Sequence, residues 1–379
     1  MKKRKIAILG ATGSIGKNAC QIIKENQDKF SLEFFLFNKN IKEAINILNV
    51  LKPKYFVTAN KEVYEKYKRI YKNLLYIRDL EKIYQDLNID LTLSAIPGSE
   101  GIYPTYLACK YSNICAISNK ESIVCAYEFL KKERAKIILC DSEHTSLKEL
   151  LKGEKKKEIE KLILTASGGP FWELSLEELK HVTFKDALKH PSWNMGPKIT
   201  IDSASFMNKA FEIIEAALYF EIKNIDVFIH RKSFIHAIVK FIDKSYKFSV
   251  SIPDMKIVIS YCLNYPNRLK LNLKSLEDLL PLDFKLEEKD LKRFKCLKFG
   301  FLGIKNLDDI LFRTLLVLGD DLAIKKFAKG EITFLGIYNF IKNFIENNIN
   351  KFQKPKNIPE LLEIIKIIKE ENNWEKTKN

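Results

Sequence analysis

Asp141 and Glu143, two residues apart, and Glu212 far downstream are the side chains whose types and spacing best suit chemistry. Asp141-Ser142-Glu143-His144 follows a strand-like run, at the carboxyl edge where open α/β sheets bind ligands. Read as extended backbone, the segment alternates its side chains, so Asp141 and Glu143 point to one side. Two hard carboxylate oxygens there suit Mg²⁺ or Mn²⁺, with a further carboxylate completing the set. Glu212 is the candidate. If the run from Asp202 to Glu212 is helical, Asn208 and Glu212 share a face, with Lys209 and Ser205 alongside. A carboxylate, an ammonium and an amide beside a serine-rich helix start suit a metal and a phosphate together. A solvated helix face is the plainer reading of the same spacing. Ser167-Gly168-Gly169 offers a second phosphate cradle.

A separate constellation lies at the start of the chain. Gly10-Ala11-Thr12-Gly13-Ser14-Ile15-Gly16 follows the first strand-like run and opens a helical pattern. In that context backbone N–H groups and a helix N-terminus can hold a pyrophosphate. A P-loop would need glycine at Ala11 and Ser or Thr at Asn18, and has neither. About twenty residues on, where an NAD site places an acid on the ribose, stands Asn38-Lys39-Asn40. A cation there suits the 2′-phosphate of NADP(H); a surface lysine in a lysine-rich chain is the plainer alternative.

The elements that must position these groups follow from pattern. Apolar runs at 6–9, 32–37, 55–57, 91–95, 114–117 and 137–140 read as strands, with helical stretches such as 18–26, 41–51 and 122–135 between them. That rhythm predicts an N-terminal Rossmann-like, doubly wound parallel sheet over 1–140, and an α/β fold class. A central α+β region over 141–285 follows. It has strands expected at 162–166, 198–201, 225–230 and 234–242 and a helix at 206–220. From about 286 to 379 the signal is helical, strongest at 308–318, 333–345 and 358–369. The stretch from Pro170 to Pro197 is a long connection with little regular pattern, of the kind that is often functional. It carries His190 and Trp193, and the expectation is a flexible lid whose indole covers a bound substrate.

Composition sets bounds. The 379 residues are 46% hydrophobic and 30% charged, enough for more than one core. No run of about 18 apolar residues predicts a membrane span. The seven cysteines form no C-x-x-C pair, which argues against a disulfide framework or structural zinc and fits a reducing compartment. The net charge of +16 comes from lysines spread along the chain rather than a basic stripe. It predicts attraction of anionic small substrates, not nucleic-acid binding. The expected location is cytoplasmic, or the lumen of a plastid-like organelle for a processed form.

Six motifs in order carry a resemblance. They are Gly10 to Gly16, Asn119-Lys120-Glu121-Ser122, Asp141-Ser142-Glu143-His144, Ser167-Gly168-Gly169-Pro170-Phe171, His190-Pro191-x-Trp193-x-Met195-Gly196, and Asp202-Ser203-Ala204 continuing to Asn208-Lys209-x-x-Glu212. Over roughly residues 4–255 the chain resembles the 1-deoxy-D-xylulose 5-phosphate reductoisomerase family. The resemblance implies NADPH- and divalent-metal-dependent conversion of 1-deoxy-D-xylulose 5-phosphate to 2-C-methyl-D-erythritol 4-phosphate in non-mevalonate isoprenoid synthesis. It implies Asp141, Glu143 and Glu212 as metal ligands, and Ser167, Ser203, Asn208 and Lys209 on the phosphate. Lys120, Ser142, Glu143, His190 and Trp193 would meet the sugar, with Lys120, Glu143 and His190 as catalytic candidates. Thr12, Gly13, Ser14, Ile15, Asn38, Lys39, Asn40, Asn119, Glu121 and Gly196 would line the cofactor. It further implies a homodimer built through the central region, and inhibition by phosphonate hydroxamates that chelate the metal.

The chain departs from that pattern at Thr145-Ser146-Leu147-Lys148, at Ala166 and Ala210, and at Gly319-Asp320-Asp321-Leu322. Two rival readings remain in view. A semialdehyde dehydrogenase shares the glycine loop but needs a nucleophilic cysteine, and Cys140 falls in a strand expected to be buried. A non-catalytic NADPH-binding module would have no use for three converging carboxylates.

Overall fold

The protein is described by a computed structural model, covering residues 3–189 and 196–372. His190 and Trp193 lie outside the described residues. Contacts divide the chain into two units. The first comprises Met1–Asn119, Leu130–Thr145 and Asp254–Leu273, and the second Lys120–Phe129, Ser146–Pro253 and Lys274–Asn379. The expected central range of 141–285 is thus shared between them.

The first unit grows from short buried strands alternating with helices. In chain order these are β1 (Arg4–Leu9), α1 (Ser14–Glu25), β2 (Phe30–Phe37), α2 (Ile41–Leu51), β3 (Tyr55–Thr58), α3 (Lys61–Tyr67) and β4 (Leu74–Tyr76). There follow α4 (Leu80–Asp86), β5 (Ile89–Ser94), α5 (Ile102–Tyr111), β6 (Ser112–Ile117) and β7 (Lys136–Leu139), while α6 (Lys120–Leu130), which lies between β6 and β7 in the chain, belongs to the second unit up to Phe129. The seven strands pair in parallel in the order β4-β3-β2-β1-β5-β6-β7. Strand order reverses between β1 and β5, the switch point at which such sheets open a ligand crevice. All six expected strands are present; β4, only three residues long, carried too short an apolar run to be read.

The second unit holds most of the remaining chain: α7 (Ser142–Leu150) from Ser146 onward, β8 (Ile159–Ala166), α8 (Phe184–Ala187), α9 (Pro197–Ser205), α10 (Met207–Phe220), β9 (Ile225–Ile229), β10 (Ile235–Phe241) and β11 (Tyr246–Val250). The chain then returns to the first unit as α11 (Met255–Asn264), which packs on α1. Arg4 fastens the return, donating to the carbonyls of Leu263 at 2.7 Å and Tyr265 at 3.0 Å. Finally come β12 (Glu287–Glu288), α12 (Lys298–Lys305), α13 (Ile310–Ala328), α14 (Gly336–Asn348) and α15 (Ile358–Glu371). The second sheet is mixed, in the order β11-β10-β8-β9-β12, with β8 and β9 parallel and the other pairs antiparallel. Fully buried Arg313 ties α13 to α6, donating to the carbonyl of Val124 at 2.8 Å and pairing with Glu128.

Three expectations need correction. Residues 198–201 are helical, not a strand: Pro197 pre-sets the first turn of α9, and Thr200 bonds back to the Gly196 carbonyl. Phe206 adopts a left-handed conformation (φ 67°) that ends α9 and starts α10, so Ser205 does not share a helix with Asn208 and Glu212. Asp141 and Glu143 do not alternate on extended backbone, because α7 begins at Ser142.

Candidate active site

Asp141 acts as the cap of α7. Its Oδ1 accepts from the backbone N–H of Glu143 at 3.0 Å and of His144 at 3.3 Å. The His144 ring is 3.0 Å from the same oxygen and fully buried, so the carboxylate is held in one orientation. Capping, rather than strand pleat, is what places Glu143 beside Asp141. Ser142 donates to Glu143.

Glu212 is 1% exposed, on α10. Asn208, one turn earlier, donates to it at 2.5 Å, Lys209 is hydrogen-bonded to its other oxygen, and Lys120 lies 3.7 Å away. One carboxylate oxygen from each of Asp141, Glu143 and Glu212 lies within 4.8 Å of the others, the one such group among the described residues. Three hard oxygens at that spacing fit Mg²⁺ or Mn²⁺ rather than a soft metal.

The Ser167-Gly168-Gly169 turn leaves the end of β8 with both glycines left-handed (φ 85° and 66°). A Cβ on Gly169 would stand 2.9 Å from the Ser203 carbonyl, so the turn reaches the end of α9 because nothing larger intervenes. The two serine segments expected on the phosphate are therefore packed against each other. The first part of the following connection is not free of structure. It buries Phe171, Trp172, Leu179 and Ala187 and includes the capped turn α8.

The glycine loop sits at the switch point. Gly10 is left-handed (φ 90°), and a Cβ there would meet the Ala95 carbonyl at 2.6 Å, beyond the end of β5. Gly13 caps α1 without a side-chain oxygen. A cradle this close to backbone, opening onto a helix start, fits a dinucleotide pyrophosphate. Residues 38–40 are exposed, and Asn40 is engaged in capping α2 through Glu43 N–H at 3.1 Å. Asn119 is buried and donates to the Gly98 carbonyl at 3.1 Å. Gly196 caps α9 in open space.

Sequence reading missed one buried charge cluster. Lys198 on α9 is ion-paired with Asp202 (2.8 Å), Asp320 (2.7 Å), Glu121 (3.2 Å) and Asp321 (3.5 Å). The Lys198/Asp202 spacing was a visible i,i+4 signal, hidden by reading the segment as a strand. Asp320 had no local signal. Together the carboxylates outweigh burial and raise the Lys198 pKa. Burial pushes Asp202 well up, and Asp320 up to about 6.

Family models match three stretches of the chain: 1-deoxy-D-xylulose 5-phosphate reductoisomerase over residues 6–127, its C-terminal domain over 137–220, and the DXP reductoisomerase C-terminal domain over 250–371. A relative named 1-deoxy-D-xylulose 5-phosphate reductoisomerase from Bacillus subtilis is 37% identical over 385 residues, covering 98% of each chain. One of the same name from Pelagibacter ubique is 39% identical, covering 94% of this chain and 96% of its own. Among solved structures, DOX-P reductoisomerase in complex with NADPH, fosmidomycin and magnesium superposes with a TM-score of 0.84 at 28% identity, covering 91% of this chain and 90% of that one. The Zymomonas mobilis enzyme in complex with NADPH gives 0.84 at 28%, covering 97% of both.

Proposed function

This chain belongs to the 1-deoxy-D-xylulose 5-phosphate reductoisomerase family, and from that premise we propose that it converts 1-deoxy-D-xylulose 5-phosphate to 2-C-methyl-D-erythritol 4-phosphate with NADPH in isoprenoid precursor synthesis. The observation that carries the reading is the gathering of Asp141, Glu143 and Glu212. A divalent cation held by these three carboxylates supplies Lewis acidity, and NADPH supplies hydride.

The chain's own residues do the rest. Ser167, Ser203, Asn208 and Lys209 hold the substrate's phosphate, with Lys209 and Asn208 steadied by Glu212. His144 fixes the rotamer of Asp141, so the ligand does not reorganise during turnover. Lys120 and Glu143 are the candidates for proton transfer, with Ser142 orienting Glu143. His190, Trp193 and Gly196 belong to the segment proposed to close over the sugar and nicotinamide. Thr12, Gly13, Ser14 and Ile15 receive the pyrophosphate. Lys39, flanked by Asn38 and Asn40, favours the 2′-phosphate, and Asn119 and Glu121 complete the cofactor pocket. Fosmidomycin-type phosphonate hydroxamates would engage the same metal and phosphate positions.

A homodimer is part of the proposal. β11 is the outermost strand of its sheet, with an unpaired backbone edge, and leaves Tyr246, Phe248 and Val250 exposed on one face, an apolar row that a second copy would cover. No described helix is long and apolar enough to cross a membrane. Seven buried free cysteines support a reducing, cytoplasmic setting. The test is aerobic incubation with 1-deoxy-D-xylulose 5-phosphate, NADPH and Mn²⁺. NADPH oxidation that depends on both the pentulose phosphate and the metal is expected, and its absence from folded protein would overturn the assignment.

A further inference from the structure

We propose that Arg231 is a positioning residue for the substrate's phosphate, acting through the Ser167-Gly168-Gly169 turn; the inference rests on the family reading above. β8 ends at Ala166 and its parallel neighbour β9 at Ile229, and these two residues are paired in register. The turn and Arg231 therefore leave adjacent strands at the same level. The Arg231 Nη1 donates to the carbonyl of Ser167 at 2.5 Å and to that of Gly169 at 3.1 Å.

Two carbonyls on one guanidinium nitrogen dictate where the turn's donors go. In a trans peptide the C=O and N–H point in opposite directions, and this peptide is trans. With the Ser167 carbonyl on Arg231, the Gly168 N–H is turned to the opposite side. The Gly169 N–H is taken by Ser167 Oγ at 3.3 Å, which orients the hydroxyl. On one flank a Cβ at Gly168 would meet Nη1 at 2.6 Å, and on the other a Cβ at Gly169 would meet the Ser203 carbonyl. The turn is thus wedged between a cation and the end of α9, with the Gly168 amide on the side away from Arg231. The guanidinium also adds positive potential behind the turn. Glu173, the one carboxylate paired with Arg231 among the described residues, stands at 3.7 Å and is 80% exposed, so solvent weakens that pair.

R231M and R231K test the assignment. With NADPH and Mg²⁺ present, R231M is expected to raise both KM for 1-deoxy-D-xylulose 5-phosphate and the inhibition constant of inorganic phosphate about tenfold, the scale of one lost charge-assisted hydrogen bond. Its kcat and NADPH dissociation constant should stay within about twofold of wild type. R231K keeps the cation but not the planar fork, and its KM should fall between the two. An unchanged KM in R231M overturns the proposal, as does a parallel loss of kcat and NADPH affinity, which marks a general structural role. If R231M does not fold, R231K decides: a KM equal to wild type counts against the proposal. A wild type without turnover would defeat the proposed activity instead. Calorimetry of inorganic phosphate binding to wild type and R231K would then still decide this one.

Discussion

Glu212 is buried among two ammonium groups and an amide donor. Its charge is compensated before any cation arrives. E212Q is therefore expected to lose about a hundredfold or more in metal-dependent turnover, because one hard ligand is gone. NADPH affinity, read by fluorescence titration, should be unchanged; turnover near wild type in the presence of EDTA would contradict the ligand role. The Lys198 cluster makes a prediction of the opposite kind. Facing Asp320 are Lys198 and Asp202 from α9, Asp321 from its own helix, Glu121 from α6 and the Cys296 thiol, and the Oδ1 atoms of Asp202 and Asp320 have no hydrogen-bond partner among the described residues. Burial raises Asp320 to about 6, above its ordinary value. A raised carboxyl contributes stability that is complete below about pH 4 and lost as pH climbs through 6, on the order of 2–3 kcal/mol for a buried group. D320N removes that dependence. Its melting temperature should match or exceed wild type at pH 8, and the difference should shrink as pH falls toward 4. A difference independent of pH would show that Asp320 stays ionised throughout.

At the scale of elements, the first sheet was legible because buried parallel strands read as bare apolar runs, and six of its seven were long enough to see. The catalytic segment was harder. Residues 198–201 alternate apolar and polar like a strand, and what makes them a helix is Pro197 at its start and Lys198 reaching Asp202 one turn on. Asp141 and Glu143 were found as a pair for the wrong geometric reason: a cap bond, not a pleat, sets them together. Arg231 and Asp320 were out of reach, since their partners lie 64 and 122 residues away. The connection from Pro170 to Pro197 was expected as a lid. Its first part is anchored by Phe171 and Trp172, and His190 and Trp193 lie outside the described residues. Trypsin should cut at Lys185 or Lys189, both exposed, in the free protein, and more slowly with NADPH, Mg²⁺ and fosmidomycin bound. Equal rates with and without ligands would argue against a lid.

For the whole molecule, the exposed row on β11 predicts how copies assemble. F248K places a charge at the centre of that row, where a second copy packed over the face could bury it only at a desolvation cost. Light scattering should show the wild type at twice the chain mass and the variant at the chain mass, or in a concentration-dependent mixture. A variant that remains fully dimeric would place the interface elsewhere. The return of the chain to α1 through α11 bears on how the protein is made. Arg4 finds the carbonyls of Leu263 and Tyr265 at the far end of a stretch that must first be synthesised. Val258, Ile259, Cys262 and Leu263 belong to the same apolar cluster as Ile6 and Ile8. While the ribosome is still translating the middle of the message, the glycine-loop sheet therefore has an uncovered flank, and a fragment ending before residue 254 would be released with that flank bare. Such a fragment should aggregate or bind a chaperone rather than fold into a free-standing nucleotide binder, so the first third of the sequence is a structural module without being a transplantable one.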